Sequence, residues 1–411
     1  MFNKINKSKN LNALFSKLAS VYNFFARTWF RARYNFSPIK NNKVFFLFLS
    51  GTDFCCNPKY IALKLLENKK KNYDIVCCFS DDHISAQLPE GIRRISIDSP
   101  EVFSELASSK IWVMNKQSPL LYLHGLQKRQ GQYYFQTWHG SLGIKTIAND
   151  AAIVNKNSFR FQCVRKLCEM TDFWVSNSTF ESEVYRSAFP NVKEILLYGH
   201  PRNDILINGA PEICARVKNL FSTAEKKVLL YAPSHRGSER VDCFDIDREM
   251  LLDALKDRFG GEWVIMFRLH PHLKKYGAGL IPGSEAMIDA TDYPDIQELM
   301  LAADALLTDF SSCVFDFMLT GRPGFLYTPD IEEFEQDRGF YYPLETTPFP
   351  IGKTNEELAE KIRAFDAEKY AKDVEAFLEE KGCVEDGHAS ERVVRKINEL
   401  MGLENENGSD R

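Results

Sequence analysis

Two histidines and a pair of serines carry the chemistry that this sequence offers. His139 follows an apolar run at residues 133–138 and precedes Gly140-Ser141. An imidazole at a strand end beside a glycine turn faces a crevice. It takes up a proton near neutral pH, which makes it the general-base candidate. His270 stands in Arg268-Leu269-His270-Pro271-His272, where Pro271 stiffens the turn. Arg268 suits bidentate contact with phosphate, and His270 suits donating a proton to it. The His-x-His pair raises a metal, but no Asp, Glu or Cys stands at a helpful spacing, and no metal site is expected. Ser311 and Ser312 lie in Thr308-Asp309-Phe310-Ser311-Ser312-Cys313, between the buried run Ala305-Leu306-Leu307 and a helix. A polar turn at the carboxyl end of a parallel strand presents backbone N–H groups and hydroxyls, an anion site suited to phosphate. A plain helix cap is the alternative. Ser234 and Arg236 close a similar strand end, and Lys145 brings positive charge a few residues after His139.

The elements that must position these residues alternate between strand and helix. Apolar runs at 44–49, 73–79, 111–114, 133–138, 172–175 and 195–198 read as strands, with helices between them. A second series has strands at 227–232, 263–268, 287–289, 305–307 and 324–327. The fold class is α/β, with two doubly wound domains, and ligands in such sheets sit at the carboxyl ends of strands. The expected divisions are a basic segment at 1–42, an N-terminal domain at 43–205, a C-terminal domain at 206–403 and a polar, disordered tail at 404–411. The stretch Gly199-His200-Pro201-Arg202-Asn203-Asp204 connects the two domains, and Arg202, Asn203 and Asp204 are expected in the cleft.

A length of 411 residues suits two domains, and a hydrophobic content of 44% suffices for two cores. The ten cysteines are scattered, without zinc spacing, and read as reduced, mostly buried thiols. No apolar run is long enough to span a bilayer, and no secretory leader is recognisable. The net charge of −4 hides an asymmetry. Residues 1–43 hold Lys4, Lys7, Lys9, Lys17, Arg27, Arg31, Arg33, Lys40 and Lys43 and no carboxylate. Within them Leu11, Leu14, Phe15, Leu18, Tyr22, Phe25 and Trp29 share one helical face, flanked by cations. A basic, aromatic amphipathic helix suits an anionic membrane surface, here through residues 1–36. Docking on the protein's own body is the alternative. G-x-G-x-x-G, Walker A and G-x-S-x-G are absent, which argues against dinucleotide dehydrogenases, P-loop ATPases and ordinary serine hydrolases. Nothing points to nucleic acid.

The segment Gln136-Thr137-Trp138-His139-Gly140-Ser141 resembles that of the CDP-glycerol glycerophosphotransferase family, which builds poly(polyol phosphate) chains of teichoic acids and capsules. The resemblance continues through Gly199 to Asp204, Tyr231 to Arg236, Arg268 to Pro271, Asp295 to Phe317 and Asp337-Arg338-Gly339-Phe340-Tyr341. It departs at Ser234-His235, where the family usually has Thr-Trp. It departs again after Gly140, so the base or polyol pocket is expected to differ. The resemblance implies a GT-B-like fold of two facing Rossmann-type domains, with the nucleotide in the C-terminal one and the acceptor in the N-terminal one. It places the functional histidines at His139 and His270. Phosphate contact falls to Arg268, Ser234, Arg236, Thr308, Asp309, Ser311 and Ser312, and the acceptor side to Gly140, Ser141, Lys145, Arg202, Asn203 and Asp204. The implied reaction is transfer of glycerol phosphate from a CDP-polyol donor to a lipid-linked or oligosaccharide acceptor, with release of CMP, on the inner face of the bacterial membrane. No cofactor is required. Mg²⁺ would fall to Asp309 and Asp316, which read as turn and helix residues. The alternatives are a ribitol-phosphate transferase, a nucleotide-sugar glycosyltransferase and a catalytically silent binding protein.

Overall fold

The computed structural model describes residues 9–48, 53–79, 88–151, 158–234, 246–269 and 286–403. Its N-terminal half is built on seven strands: β1 (Lys40–Leu47), β2 (Asp74–Phe79), β3 (Ile92–Ser96), β4 (Ser109–Met114), β5 (Tyr133–Gln136), β6 (Phe173–Ser176) and β7 (Glu194–Leu197). All pair in parallel, in the order β3-β2-β1-β4-β5-β6-β7. Val44, Phe45, Phe46 and Leu47 are all buried because both faces are covered. One face packs Val44 and Phe46 against Ile61 and Leu65, and the other packs Phe45 and Leu47 against Leu106 and Leu121.

The C-terminal half carries β8 (Lys227–Tyr231), β9 (Trp263–Phe267), β10 (Met287–Asp289), β11 (Ala305–Thr308), β12 (Gly324–Tyr327) and β13 (Ile351–Gly352). These too are parallel, in the order β10-β9-β8-β11-β12-β13. Chain order reverses between β1 and β4 in the first sheet and between β8 and β11 in the second. A crevice opens at such a switch point, outside the carboxyl ends of the strands.

Two strands escape the sequence reading. β3 alternates poorly, with Arg93 and Arg94 exposed on a sheet edge, and β13 is only two residues long. The strand expected through residue 138 ends at Gln136. The last helix, Ala389–Met401, does not stay with the C-terminal domain as expected. It crosses back and buries Val393, Val394, Ile397 and Met401 against the first sheet. The expected tail at 404–411 lies outside the described residues. The nine described cysteines are free thiols.

The helix Lys9–Tyr34 docks on the N-terminal domain through a face different from the one its apolar spacing marks. Ala19, Asn23, Phe30 and Tyr34 are buried. Asn23 Nδ2 donates to Leu123 O at 3.1 Å, and Arg31 Nε donates to Gln127 Oε1 at 2.8 Å. Arg27 and Arg31, expected to face lipid, thus serve the docking. Gly125, at φ +95°, admits the close approach, since a Cβ there would stand 2.5 Å from Ala26 O. The opposite face leaves Leu18, Tyr22, Phe24, Phe25 and Trp29 about half exposed or more.

Several sets of contacts join the domains, among them main-chain bonds between segments 177–180 and 381–384 and the three that follow. Buried Arg202 forks onto Asp316 at 3.0 and 3.1 Å. Lys59 Nζ sits between Asp295 and Glu298 at 2.6 and 2.7 Å, and against the desolvation of burial the pair holds the Lys59 ammonium in its charged form. Thirdly, segment 144–146 pairs with segment 339–341. Thr146 N donates to Gly339 O at 3.1 Å and Tyr341 N to Ile144 O at 2.8 Å. Lys145 and Phe340 form the antiparallel bridge between them.

Candidate active site

His139 sits just beyond β5 in a turn that the backbone would not adopt unaided. Trp138 has φ 51° and Leu142 φ 40°, left-handed values that non-glycine residues rarely take. Side chains from elsewhere hold the turn. Buried Asn57 donates from Nδ2 to Thr137 O at 2.8 Å and to Trp138 O at 3.2 Å, while its Oδ1 accepts from Arg202 N at 3.1 Å. Asn177 Nδ2 donates to Ser141 Oγ at 2.6 Å. The His139 ring lies 2.8 Å from Asn115 O through Nδ1. A carbonyl only accepts, so Nδ1 carries the proton and Nε2 keeps its lone pair. Burial, with help from Lys116, Arg202 and Lys145, pulls the imidazole down from 6.5 to about 4. The ring is therefore neutral at physiological pH and ready to accept a proton.

The serine turn lies at the switch point of the second sheet. Ser234 follows β8 and Ser311-Ser312 follow β11. Asp309 ties the two ends together, accepting from Ser234 N at 2.9 Å, Ser234 Oγ at 2.5 Å and Phe310 N at 2.5 Å. Thr308 Oγ1 donates to Ala232 O at 2.6 Å. Asp309 and Thr308, expected at phosphate, thus build the turn. The helix that follows, Cys313–Phe317, has only five residues before a 3-10 turn, and Ser312 makes no side-chain capping bond. Arg268, beyond β9, turns its guanidinium onto the carbonyls of Tyr293 and Pro294. His270 and Arg236 lie outside the described residues.

The two turns meet. A cavity of about 190 Å³ is lined by His139, Gly140, Ser141 and Lys145 from the first domain and by Ser312 from the second. A Cβ on Gly140 would stand 3.6 Å from Ser312 Oγ, and one on Gly143 3.4 Å from Ser312 Cβ. Arg202, Asn203 and Asp204, expected in the cleft, are elsewhere. Arg202 is spent on Asp316, and Asn203 Nδ2 donates to Asp316 at 3.1 Å and to Glu385 at 2.8 Å. Asp204 accepts from Ala389 N and Ser390 N, capping the returning helix. Asp316 is thereby committed to Arg202 and Asn203. Among the described residues no group of three or more His, Cys, Asp or Glu gathers as a metal site.

Sequence reasoning missed Asn57, Asn115, Asn177, Glu181 and Tyr341 as parts of this site. The last carried a signal, since it ends a stretch that resembles the family. The others stand in no motif. Glu385, buried beside Asn177, Asn203 and the His200 N–H, was also missed. Its burial pushes the carboxyl up from 4.5 to about 7, against the pull of His200 and the two amides.

Comparison with known proteins agrees with this geometry. The family model for CDP-glycerol:poly(glycerophosphate) glycerophosphotransferase matches residues 29–399. A teichoic acid poly(glycerol phosphate) polymerase of Bacillus spizizenii is 32% identical over 406 residues, which is 95% of this chain and 99% of that relative. A protein of the same description from Staphylococcus epidermidis is 30% identical over 374 residues, and the match spans only 50% of its length. The solved wall teichoic acid polymerase TagF superposes with a TM-score of 0.76 at 28% identity, over 94% of each chain. The architecture is GT-B-like, with two facing Rossmann-type domains. The chain belongs to the CDP-glycerol:poly(glycerophosphate) glycerophosphotransferase family.

Proposed function

We propose that this protein transfers a glycerol-phosphate unit from CDP-glycerol to a hydroxyl of a lipid-linked or glycan acceptor, in synthesis of a teichoic acid-like polymer, and releases CMP. The observation that carries this is the meeting of His139 and Ser312 in one cavity between two parallel-sheet domains. The acceptor hydroxyl gives its proton to His139 Nε2 as its oxygen bonds to the glycerol-bearing phosphorus. The bond from that phosphorus to the CMP oxygen breaks, and its electron pair leaves with CMP. Ser311 and Ser312 cradle the diphosphate, with His270 and Arg236 assigned the same role by resemblance, while Ser234 is held by Asp309 and Arg268 by the Tyr293 and Pro294 carbonyls. Gly140, Ser141 and Lys145 form the acceptor side. Such transfer relies on positioning and electrostatics.

The acceptor class fits a protein held at the inner face of the membrane. No helix of the described residues is long and apolar enough to cross one. The outward face of the first helix, with Phe24 66% and Phe25 65% exposed, suits lying on an anionic leaflet.

Two experiments test these readings. The first incubates the protein with acceptor and CDP-glycerol, CDP-ribitol or nucleotide-sugars and follows CMP or nucleoside diphosphate. CMP from CDP-glycerol is expected, and no CMP from any CDP-polyol would sink the transferase. The second is co-sedimentation with anionic vesicles. Truncation would uncover Phe103 and Ala107, which pack on Phe30 and Tyr34, so Phe24→Ser with Phe25→Ser is the better variant. Undiminished binding by that variant removes the surface anchor.

A further inference from the structure

The cavity beside His139 is composite, and this points to what it holds. Nearly all its described walls belong to the N-terminal domain, among them Trp138, Glu181, Tyr185, Lys145 and the His139 turn. The ring of Tyr341, however, comes from the C-terminal domain, carried in by the segment that pairs with residues 144–146. That ring packs edge-on against Phe180 at 6.1 Å and joins an apolar cluster of the first domain. Its hydroxyl donates to Asp150 Oδ2 at 2.8 Å and accepts from Ile147 N at 3.2 Å. The ring is thus fixed at both ends.

We infer that this cavity seats the terminal polyol phosphate of the acceptor, and that Tyr341 is a specificity-determining wall lent to it by the donor domain. The assignment rests on the transferase reading above. Among the described residues, Ser312 is the member of the serine turn that lines the cavity, beside Tyr341 and the residues of the His139 side. A cavity of about 190 Å³ has room for one short polyol phosphate. Its chemistry suits that guest. Aromatic rings cover the carbon chain of a polyol, and Lys145 supplies positive charge for the phosphodiester, while the Glu181 carboxylate in the wall accepts from Asn177 N at 2.9 Å. Seated there, a terminal hydroxyl meets the proton-accepting edge of His139. The acceptor site is complete only while segment 339–341 stays paired with segment 144–146.

The test uses the full chain, CDP-glycerol and a soluble acceptor that ends in a single glycerol phosphate. Tyr341→Ala opens the donor-domain wall, and Val184→Phe fills the cavity from the first domain. Each is expected to raise the acceptor KM about tenfold or more, while CDP-glycerol still raises the unfolding midpoint as it does for the parent. That midpoint also reports whether each variant folds, and either variant alone suffices. An unmoved acceptor KM overturns the assignment, as does a rise matched by lost protection from CDP-glycerol. Parent protein that releases no CMP overturns the transferase reading and this one with it. Parent turnover with an unmoved acceptor KM overturns this one alone.

Discussion

The two turns that meet at the cavity are built by opposite means. The His139 turn is bracketed by left-handed Trp138 and Leu142, conformations that cost of order 1–3 kcal/mol each. Asparagines from three other segments hold it in place. The serine turn is relaxed, with Ser312 at φ −65° and ψ −7°, and its own neighbour Asp309 organises it. The difference follows from the task. A base that takes one proton from one hydroxyl must be fixed in position, direction and tautomer. A cradle of several donors around a diphosphate tolerates small shifts, because another donor compensates.

Breaking the base is expected to have the largest effect. His139→Ala should lower CMP release by ~10²–10⁴-fold. In the parent, the acid limb of kcat/KM should fall near 4 rather than at the ordinary 6.5, because the ring stays deprotonated to lower pH. A limb at 6.5 would show that the ring is not shielded as described. Ser312→Ala comes next. It should cost up to ~10² in rate. The unfolding midpoint should not move, since the hydroxyl makes no capping bond. Asn57→Ala sharpens the contrast. It leaves two carbonyls and the Arg202 N–H without their partner, so it should cost ~1–3 kcal/mol of stability in denaturant melts. It should also cost roughly tenfold in rate as the turn loosens. Equal stability losses for Ser312→Ala and Asn57→Ala would erase the distinction between the turns.

The smallest expected effect concerns Glu385, which steadies Asn177 behind Ser141. Folded Glu385 binds its proton more tightly than the unfolded chain does. Its contribution to stability is therefore full below 4.5 and lost as pH rises to about 7. His139 works in the other direction, losing stability as pH falls from 6.5 towards 4. Glu385→Gln leaves His139 unopposed. Relative to the parent, its melting temperature should climb with pH between 4.5 and about 7, and a constant difference would refute the shift.

Much of the scaffold was legible because parallel strands buried on both faces read as unbroken apolar runs, as Val44 to Leu47 and Leu229 to Tyr231 do. β3 was not, because an edge strand with Arg93 and Arg94 outward lacks that run. His139 and Ser312 were legible as polar residues at strand ends. Arg202, Asn203 and Asp204 were misplaced because a charge used inside a joint looks, in sequence, the same as one offered to a ligand. Asp316 and Ala389, which claim them, lie more than a hundred residues away. Asn57 was invisible for a related reason: its partners are backbone carbonyls 80 residues downstream, and no local pattern records them. The first helix shows the limit of periodicity. Leu18, Tyr22, Phe25 and Trp29 of its expected apolar face are exposed, but spacing alone did not say that the other face would dock.

The return of helix Ala389–Met401 to the first sheet also sets a timetable for the ribosome. The N-terminal domain emerges first, yet one of its apolar faces stays without Val393, Ile397 and Met401 until the whole donor domain has been made. At ordinary elongation speeds about two hundred residues take roughly 10–40 s to add. For that interval the nascent first domain must be sheltered or remain unfinished. A product cut just before Ala389 would leave an acceptor domain that cannot close this face of its core.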